Sequence, residues 1–169
     1  MSNVNEEAEA DWKEETTTFQ RIKSVVSRAY DGQTAGEIAE RALVAENTAR
    51  THLEDLAEDG FVETATDPTT KATLYARSWA SLTFEQATDI LENTDSDTLL
   101  TRVQEMQAEI EAYRRETGLD DPTDIAWAET DADEETIQQW KTTRRNLSFA
   151  KVALALDQAE DNVRKTVTT

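Results

Sequence analysis

Asn47 and Arg50 stand three residues apart, with Glu46 before them and Thr51 behind, in a polar stretch that ends at Gly60. Asn can make two hydrogen bonds to an adenine edge and Arg can do the same at guanine, each pairing worth about 1–3 kcal/mol of discrimination between bases. Thr51 can touch a phosphate or a thymine methyl group. Such chemistry needs a rigid helix that turns these side chains outward and a scaffold that holds it. Arg50 also has a plainer reading. Glu46 and Glu54 each lie four residues from it, the spacing of an intrahelical ion pair.

The elements that would position these residues are legible on both sides. Thr34 is a good N-cap, and Glu37 three residues later completes a capping-box pattern. The short helix that follows would turn Ile38, Ala39 and Ala42 inward. Leu43-Val44-Ala45 reads as a turn, and a helix over about residues 46–59 would bury Ala49, Leu53 and Leu56. Gly60 stops it, since glycine accepts the left-handed backbone of many helix ends. Residues 61–65 and 71–76 read as two strands around Thr66-Asp67-Pro68-Thr69-Thr70, a hairpin. Lys71 on this hairpin and Arg77 just past it are cations placed to reach a DNA backbone or minor groove. Upstream, a helix from Thr16–Thr18 to Tyr30 would bury Phe19, Ile22, Val25 (or Val26) and Ala29 and end at Asp31-Gly32. His52, the one histidine, sits beside Leu53 on the inner edge of its helix and reads as a packing or hydrogen-bonding residue.

Helix, turn, helix and hairpin in this order resemble the winged helix-turn-helix regulators of the broad ArsR-like class. The resemblance covers about residues 16–78 and rests on Ile38-Ala39-Glu40, Thr48-Ala49-Arg50-Thr51-His52-Leu53, Leu56 and Gly60-Phe61-Val62. It implies that Arg50 and its neighbours lie on a recognition helix. One departure is Ala45, where such proteins usually carry a Ser that caps that helix; the loss weakens the cap by about 1 kcal/mol. A second stretch, Trp140 to Leu156, resembles a family of small winged-helix proteins of halophilic archaea, and implies a transcriptional regulator with no defined ligand or target sequence.

Downstream, Leu82 to Leu91 reads as a short helix. The helix from about Asp97 to Thr117 carries Leu99, Val103, Met106, Ile110 and Tyr113 at spacings of four, three, four and three, and ends at Gly118. Five apolar positions in one seam require a partner. Two fit: the same helix of a second copy, which is the expectation here, or the helix of Ile137, Trp140, Leu147, Ala150 and Leu154 in the same chain. That last helix is expected to open over Asp131–Glu135, where acidic residues favour a helix N-terminus, and to run to about Val163. Arg144-Arg145 is expected to pair with one of the many carboxylates.

Composition bounds the rest. The chain has 169 residues, 36 acidic and 17 basic, for a net charge of −19. Residues 16–80 alone hold 10 acidic and 7 basic, the wrong sign for ordinary DNA affinity, which comes largely from phosphate neutralisation. Only 6 of the 17 cations are Lys, and Thr and Ala are abundant, which suggests a cytoplasm of concentrated salt. There the Debye length falls to roughly 3 Å, and like charges stop repelling one another. No cysteine is present, so disulfides and thiolate metal sites are excluded, and one histidine cannot make a metal site alone. No apolar run reaches the roughly 18 residues that span a bilayer, and the acidic N-terminus does not read as a signal peptide. No Gly-rich phosphate loop or nucleophile–base pair is visible, and acid pairs such as Asp120-Asp121 and Glu134-Glu135 follow from composition. Neither catalysis nor a cofactor is expected.

These readings converge on a mainly α chain with a small β-hairpin. Residues 1–15 form an acidic, flexible arm, 16–80 a winged helix-turn-helix domain, and 81–169 a helical dimerisation region. The expected function is sequence-specific binding of double-stranded DNA as a cytoplasmic homodimer that regulates transcription, with no membrane association and no identified effector. The competing expectation is a winged-helix module that docks a protein and does not bind DNA.

Overall fold

The computed structural model describes residues 4–127 and 132–168. It is mainly helical, with seven α-helices and one three-stranded antiparallel sheet among the described residues. The chain divides into two compact units, residues 1–82 and 83–169.

In the first unit, α1 (Val4–Glu15) is a helix over the segment read from sequence as a flexible arm. Its only aromatic residue, Trp12, is half-buried against the core of the unit. Helix α2 (Thr18–Val26) opens on a complete capping box between Thr17 and Gln20. It stops four residues short of the expected Tyr30 because the backbone is recruited elsewhere: the Ala29 carbonyl accepts the Arg77 N–H at 2.7 Å. Both Val25 and Val26 are buried, whereas Phe19, expected inward, is exposed and meets the His52 ring edge-on.

Strand β1 (Gln33–Thr34) leads directly into α3 (Ala35–Ala42), whose Thr34–Glu37 capping box is formed as expected. Gly32 lets β1 approach the sheet, since a Cβ there would lie 2.9 Å from Cβ of Leu74. Leu43 ends α3 in the left-handed region at φ 56°, an uncommon conformation for a branched side chain that costs about 1–2 kcal/mol. The reversal it makes carries the chain into α4 (Glu46–Glu58). Gly60, at φ 77°, then turns the chain into β2 (Val62–Thr66), which pairs with β3 (Thr73–Arg77) so that Val62 faces Arg77 and Thr66 faces Thr73. Strand β1 pairs with the other edge of β3, giving the order β1-β3-β2. Ile22, Val26, Ile38, Ala42, Ala49 and Leu53 fill the core between helices and sheet.

Helix α5 (Trp79–Asn93) begins three residues earlier than the expected Leu82 and passes into the second unit, where Ala87 is buried. Helix α6 (Ser96–Thr117) is capped by Asp95 and ends at Gly118, φ 71°. Helix α7 (Glu134–Val167) is capped by Asp133; the expected start at Asp131 falls outside the described residues. The apolar seam of α6 corrects one expectation. Leu99, Val103 and Ile110 are buried, and Met106 and Tyr113 half-buried, in one cluster with Ile137, Trp140, Leu147 and Ala150 of α7. The seam assigned to a dimer is therefore closed within the chain. Arg144 forms an ion pair with Asp121, the kind of partner expected for the basic pair.

No helix among the described residues is long and apolar enough to cross a membrane.

Candidate nucleic-acid interface

Helix α4 has two faces. Ala49, Leu53 and Leu56 are buried, and each is at most 2% exposed. Their burial at spacings of four and three fixes the helix against α2 and α3. The opposite face presents Glu46, Asn47, Arg50, Thr51 and Glu54, all exposed. The four residues singled out on this helix are thus brought together on one open surface.

Arg50 Nη2 donates to Glu46 Oε1 at 2.7 Å, the intrahelical pair that its spacing allowed. The Arg50 side chain is 53% exposed, so the pair is held in water. Such exposed i,i+4 pairs contribute about 0.3–0.5 kcal/mol, and the guanidinium is easily released to another acceptor. Thr51 Oγ1 donates to the Asn47 backbone carbonyl at 3.1 Å, and Asn47 is exposed. His52 Nε2 lies 3.4 Å from Thr18 Oγ1, so the histidine bridges α4 to α2.

A cleft of about 350 Å³ separates α4 from the hairpin, with Glu46, Arg50 and Glu54 on one wall, Lys71 and Thr73 on the other, and Thr34 at its end. Tyr75 forms its base. Burial, and after it the Glu54 carboxylate, raise the Tyr75 hydroxyl above its ordinary pKa, while Arg50 opposes them. The phenol therefore stays neutral, a donor at the foot of the cleft.

The hairpin tip is organised by Asp67. Its Oδ1 accepts the N–H groups of Thr69 at 2.7 Å and Thr70 at 2.8 Å. These bonds, that of Thr70 first, hold its carboxyl below the usual aspartate pKa. Lys71 follows at φ 61°, exposed, with Nζ donating to the Pro68 carbonyl at 3.0 Å. The cation named on the hairpin is accessible at the mouth of the cleft.

Arg77 is not. It is 4% exposed, its guanidinium lies 4.1 Å from the Phe61 ring centroid, and its Nε donates to Ser81 Oγ at 2.8 Å. The assignment of Arg77 to the outer surface is corrected: it belongs to the structure of the unit. The signal was in the strand period, since Tyr75 and Arg77 are two apart on β3 and must share a face.

A second buried cation went unnoticed in the sequence. Arg21 donates from Nε to the Ala42 carbonyl at 2.9 Å and from Nη1 to the Thr16 carbonyl at 2.7 Å. It ties α2 to the last residue of α3, immediately before the Leu43 reversal. Nothing in its spacing marks it, because its acceptors are backbone atoms.

Among helices whose N-cap is defined, α4 alone lacks a side-chain cap, because Ala45 has no oxygen to offer. Glu46 in the first turn is the remaining favourable feature at that end. The outward face as a whole sets Glu46 and Glu54 against one Arg50, so it is weakly acidic. No cluster of three or more metal-ligating side chains occurs among the described residues.

A short sheet set against a bundle of small helices, with one open polar helix face, defines the architecture of the first unit; a packed pair of long helices defines the second. The chain belongs to a family described as a family of unknown function, DUF7342, which matches residues 16–158. No curated protein matches the chain.

Proposed function

We propose that this chain is a sequence-specific DNA-binding transcriptional regulator whose first unit acts as a winged helix-turn-helix. In this reading α4 enters the major groove, Asn47 and Arg50 read base edges, and the β2–β3 hairpin is the wing that sets Lys71 against the backbone. The observation that carries it is the face of α4: a helix anchored by three buried apolar residues, with Asn47, Arg50 and Thr51 outward, beside a hairpin that shares its cleft.

The acidity of the chain fits a salt-rich cell. At molar salt, phosphate neutralisation supplies little affinity to any protein. Base contacts, shape fit and water release then carry recognition, and the repulsion between two anions is screened.

The test is a fluorescence titration of genomic fragments in molar KCl with the wild-type chain, Asn47→Ala and Arg50→Ala. The wild type is expected to select particular fragments, and each variant to bind them at least tenfold more weakly with unchanged melting, since both side chains are exposed. Failure of the wild type to bind any fragment overturns the proposal, as does unchanged binding by both variants.

One observation favours a second reading, a protein-docking module. Arg50 is already held by Glu46, and Glu54 keeps the same face acidic. That reading predicts that Arg50→Ala leaves DNA behaviour unchanged, while Glu46→Lys with Glu54→Lys abolishes capture of a basic protein partner.

A further inference from the structure

Helix α7 outlasts its partner. Ser96, the first residue of α6, donates its hydroxyl to Asp157 Oδ2 at 2.7 Å, which marks where α6 ends alongside α7. Ten residues of α7 continue beyond that point to Val167, about 15 Å of helix at 1.5 Å per residue. Every residue from Gln158 to Thr168 is exposed.

The overhang is nevertheless patterned. Leu156, half-buried against the core of the second unit, and the exposed Ala159, Val163 and Val167 recur at spacings of three, four and four and line one shallow apolar groove of about 450 Å³, flanked by Glu160 and Arg164. At 3.6 residues per turn these four fall within an arc of about 80°, roughly opposite the arc of Leu147, Ala150 and Leu154 that packs on α6. Val163 is 61% exposed and Val167 78%. Valine is a mediocre helix former, and a solvated helix end gains nothing from β-branched apolar side chains.

We infer that this stripe binds a second copy of the chain, with the two α7 ends antiparallel across a two-fold axis near residues 161–162. An axis midway between 161 and 162 sets Leu156 of one copy level with Val167 of the other. It leaves Ala159 with Val163, and Glu160 with Arg164 twice, each about 1.5 Å from level, within side-chain reach. The surface is self-complementary, as a two-fold interface requires. A parallel, in-register pair would instead set Glu160 against Glu160 and Arg164 against Arg164. The contact is small relative to standard interfaces of about 1,600 Å², so the expected association is weak and concentration-dependent. The inference does not depend on the DNA-binding proposal.

Sedimentation equilibrium of the full chain in moderate KCl tests it. The wild type is expected to pass from monomer to dimer with concentration. Val163→Glu with Val167→Glu should weaken dimerisation at least tenfold while helix content and melting stay unchanged, because both positions are exposed. Glu160→Arg alone and Arg164→Glu alone should each weaken it severalfold. Mixed in equal amounts, those two single variants should associate again, since each copy then offers the other an opposite charge at both contacts. A wild type that stays monomeric up to millimolar concentration overturns the inference. So does a Val163→Glu, Val167→Glu chain that dimerises like the wild type, or a mixture of the charge variants that stays monomeric.

Discussion

Helices α4 and α6 are both anchored by apolar residues at helical spacing, yet they are completed differently. Ala49, Leu53 and Leu56 of α4 are satisfied by short elements of the first unit, and the polar face is left open. The longer seam of α6 is satisfied by one continuous neighbour, α7, and its outward Gln107, Glu111 and Arg114 line a cleft closed by Asp121 and by Arg144 of that same neighbour. A polar helix face announces its own exposure. An apolar stripe announces only that something will cover it. The identity of the cover depends on what else the chain offers, and here α7 was long enough to supply it and to carry a second stripe past the end of α6.

The two units should therefore differ most when the packing of α6 on α7 is cut. Trp140 is 1% exposed and stacks on Tyr113 at 6.1 Å between centroids, so it is the largest side chain in that contact. Trp140→Ala removes most of the filling and is expected to destabilise the second unit by about 3–5 kcal/mol. Its Nε1 is buried without a hydrogen-bond partner among the described residues. Trp140→Phe, which removes that donor and keeps a ring, should consequently cost much less. Hydrogen exchange resolved by segment checks this: protection should collapse in α6 and α7 while α2, α3 and α4 keep theirs. Equal loss in both units would mean that they fold as one.

Acid separates the units by a smaller margin. In the second unit, Asp95 and Asp133 cap α6 and α7, each held below its usual pKa first by a backbone N–H, that of Thr98 and of Thr136. Asp121 is lowered first by the Thr123 hydroxyl and N–H and then by Arg144, and Asp161 by Lys165. In the first unit, Asp67 is the only aspartate with a resolved depression among the described residues. A carboxyl whose pKa is lower folded than unfolded supports the fold above the unfolded value, and that support disappears as pH falls through the folded one. Below about pH 4 the second unit should thus lose protection before the first. Exchange measured along an acid series would contradict this if α3 and α4 opened earlier than α6 and α7.

What could be read from the residues follows the same physical line. Thr34 with Glu37, Gly60, Gly118 and the Asp67 turn are local signals, complete within four or five residues, and each element they bound is present. Strand β1 has only two residues, too few to show a period, and exists because β3 has a free edge and Gly32 permits the approach. Helix α1 was hidden by its charge, since six acidic residues in the first fifteen resemble a solvated arm. Arg77 was misplaced because its charge outweighed its position. On β3 the register decides, and Phe61 supplies the aromatic face that lets the guanidinium go inside. The candidate interface was the more legible part for one reason: α4 is defined by spacing alone, whereas the seam of α6 depended on distant partners such as Trp140, 27 residues from the Tyr113 it stacks on.

The smallest expected effect bears on α4 itself. Thr17, Thr34, Asp95 and Asp133 each accept a backbone N–H at the start of their helices, and Ala45 does not. Its backbone is already in the extended conformation of an N-cap, φ −69° and ψ 146°, so a hydroxyl placed there needs no rearrangement. Ala45→Ser should let Oγ accept the N–H of Thr48 and stabilise the first unit by about 1 kcal/mol. Denaturation followed at α4 by hydrogen exchange would register the gain there, with α6 and α7 unchanged. No gain would mean that Glu46 and water already satisfy that helix end. A gain with DNA behaviour unaltered would show that the open N-terminus of α4 is a matter of stability alone.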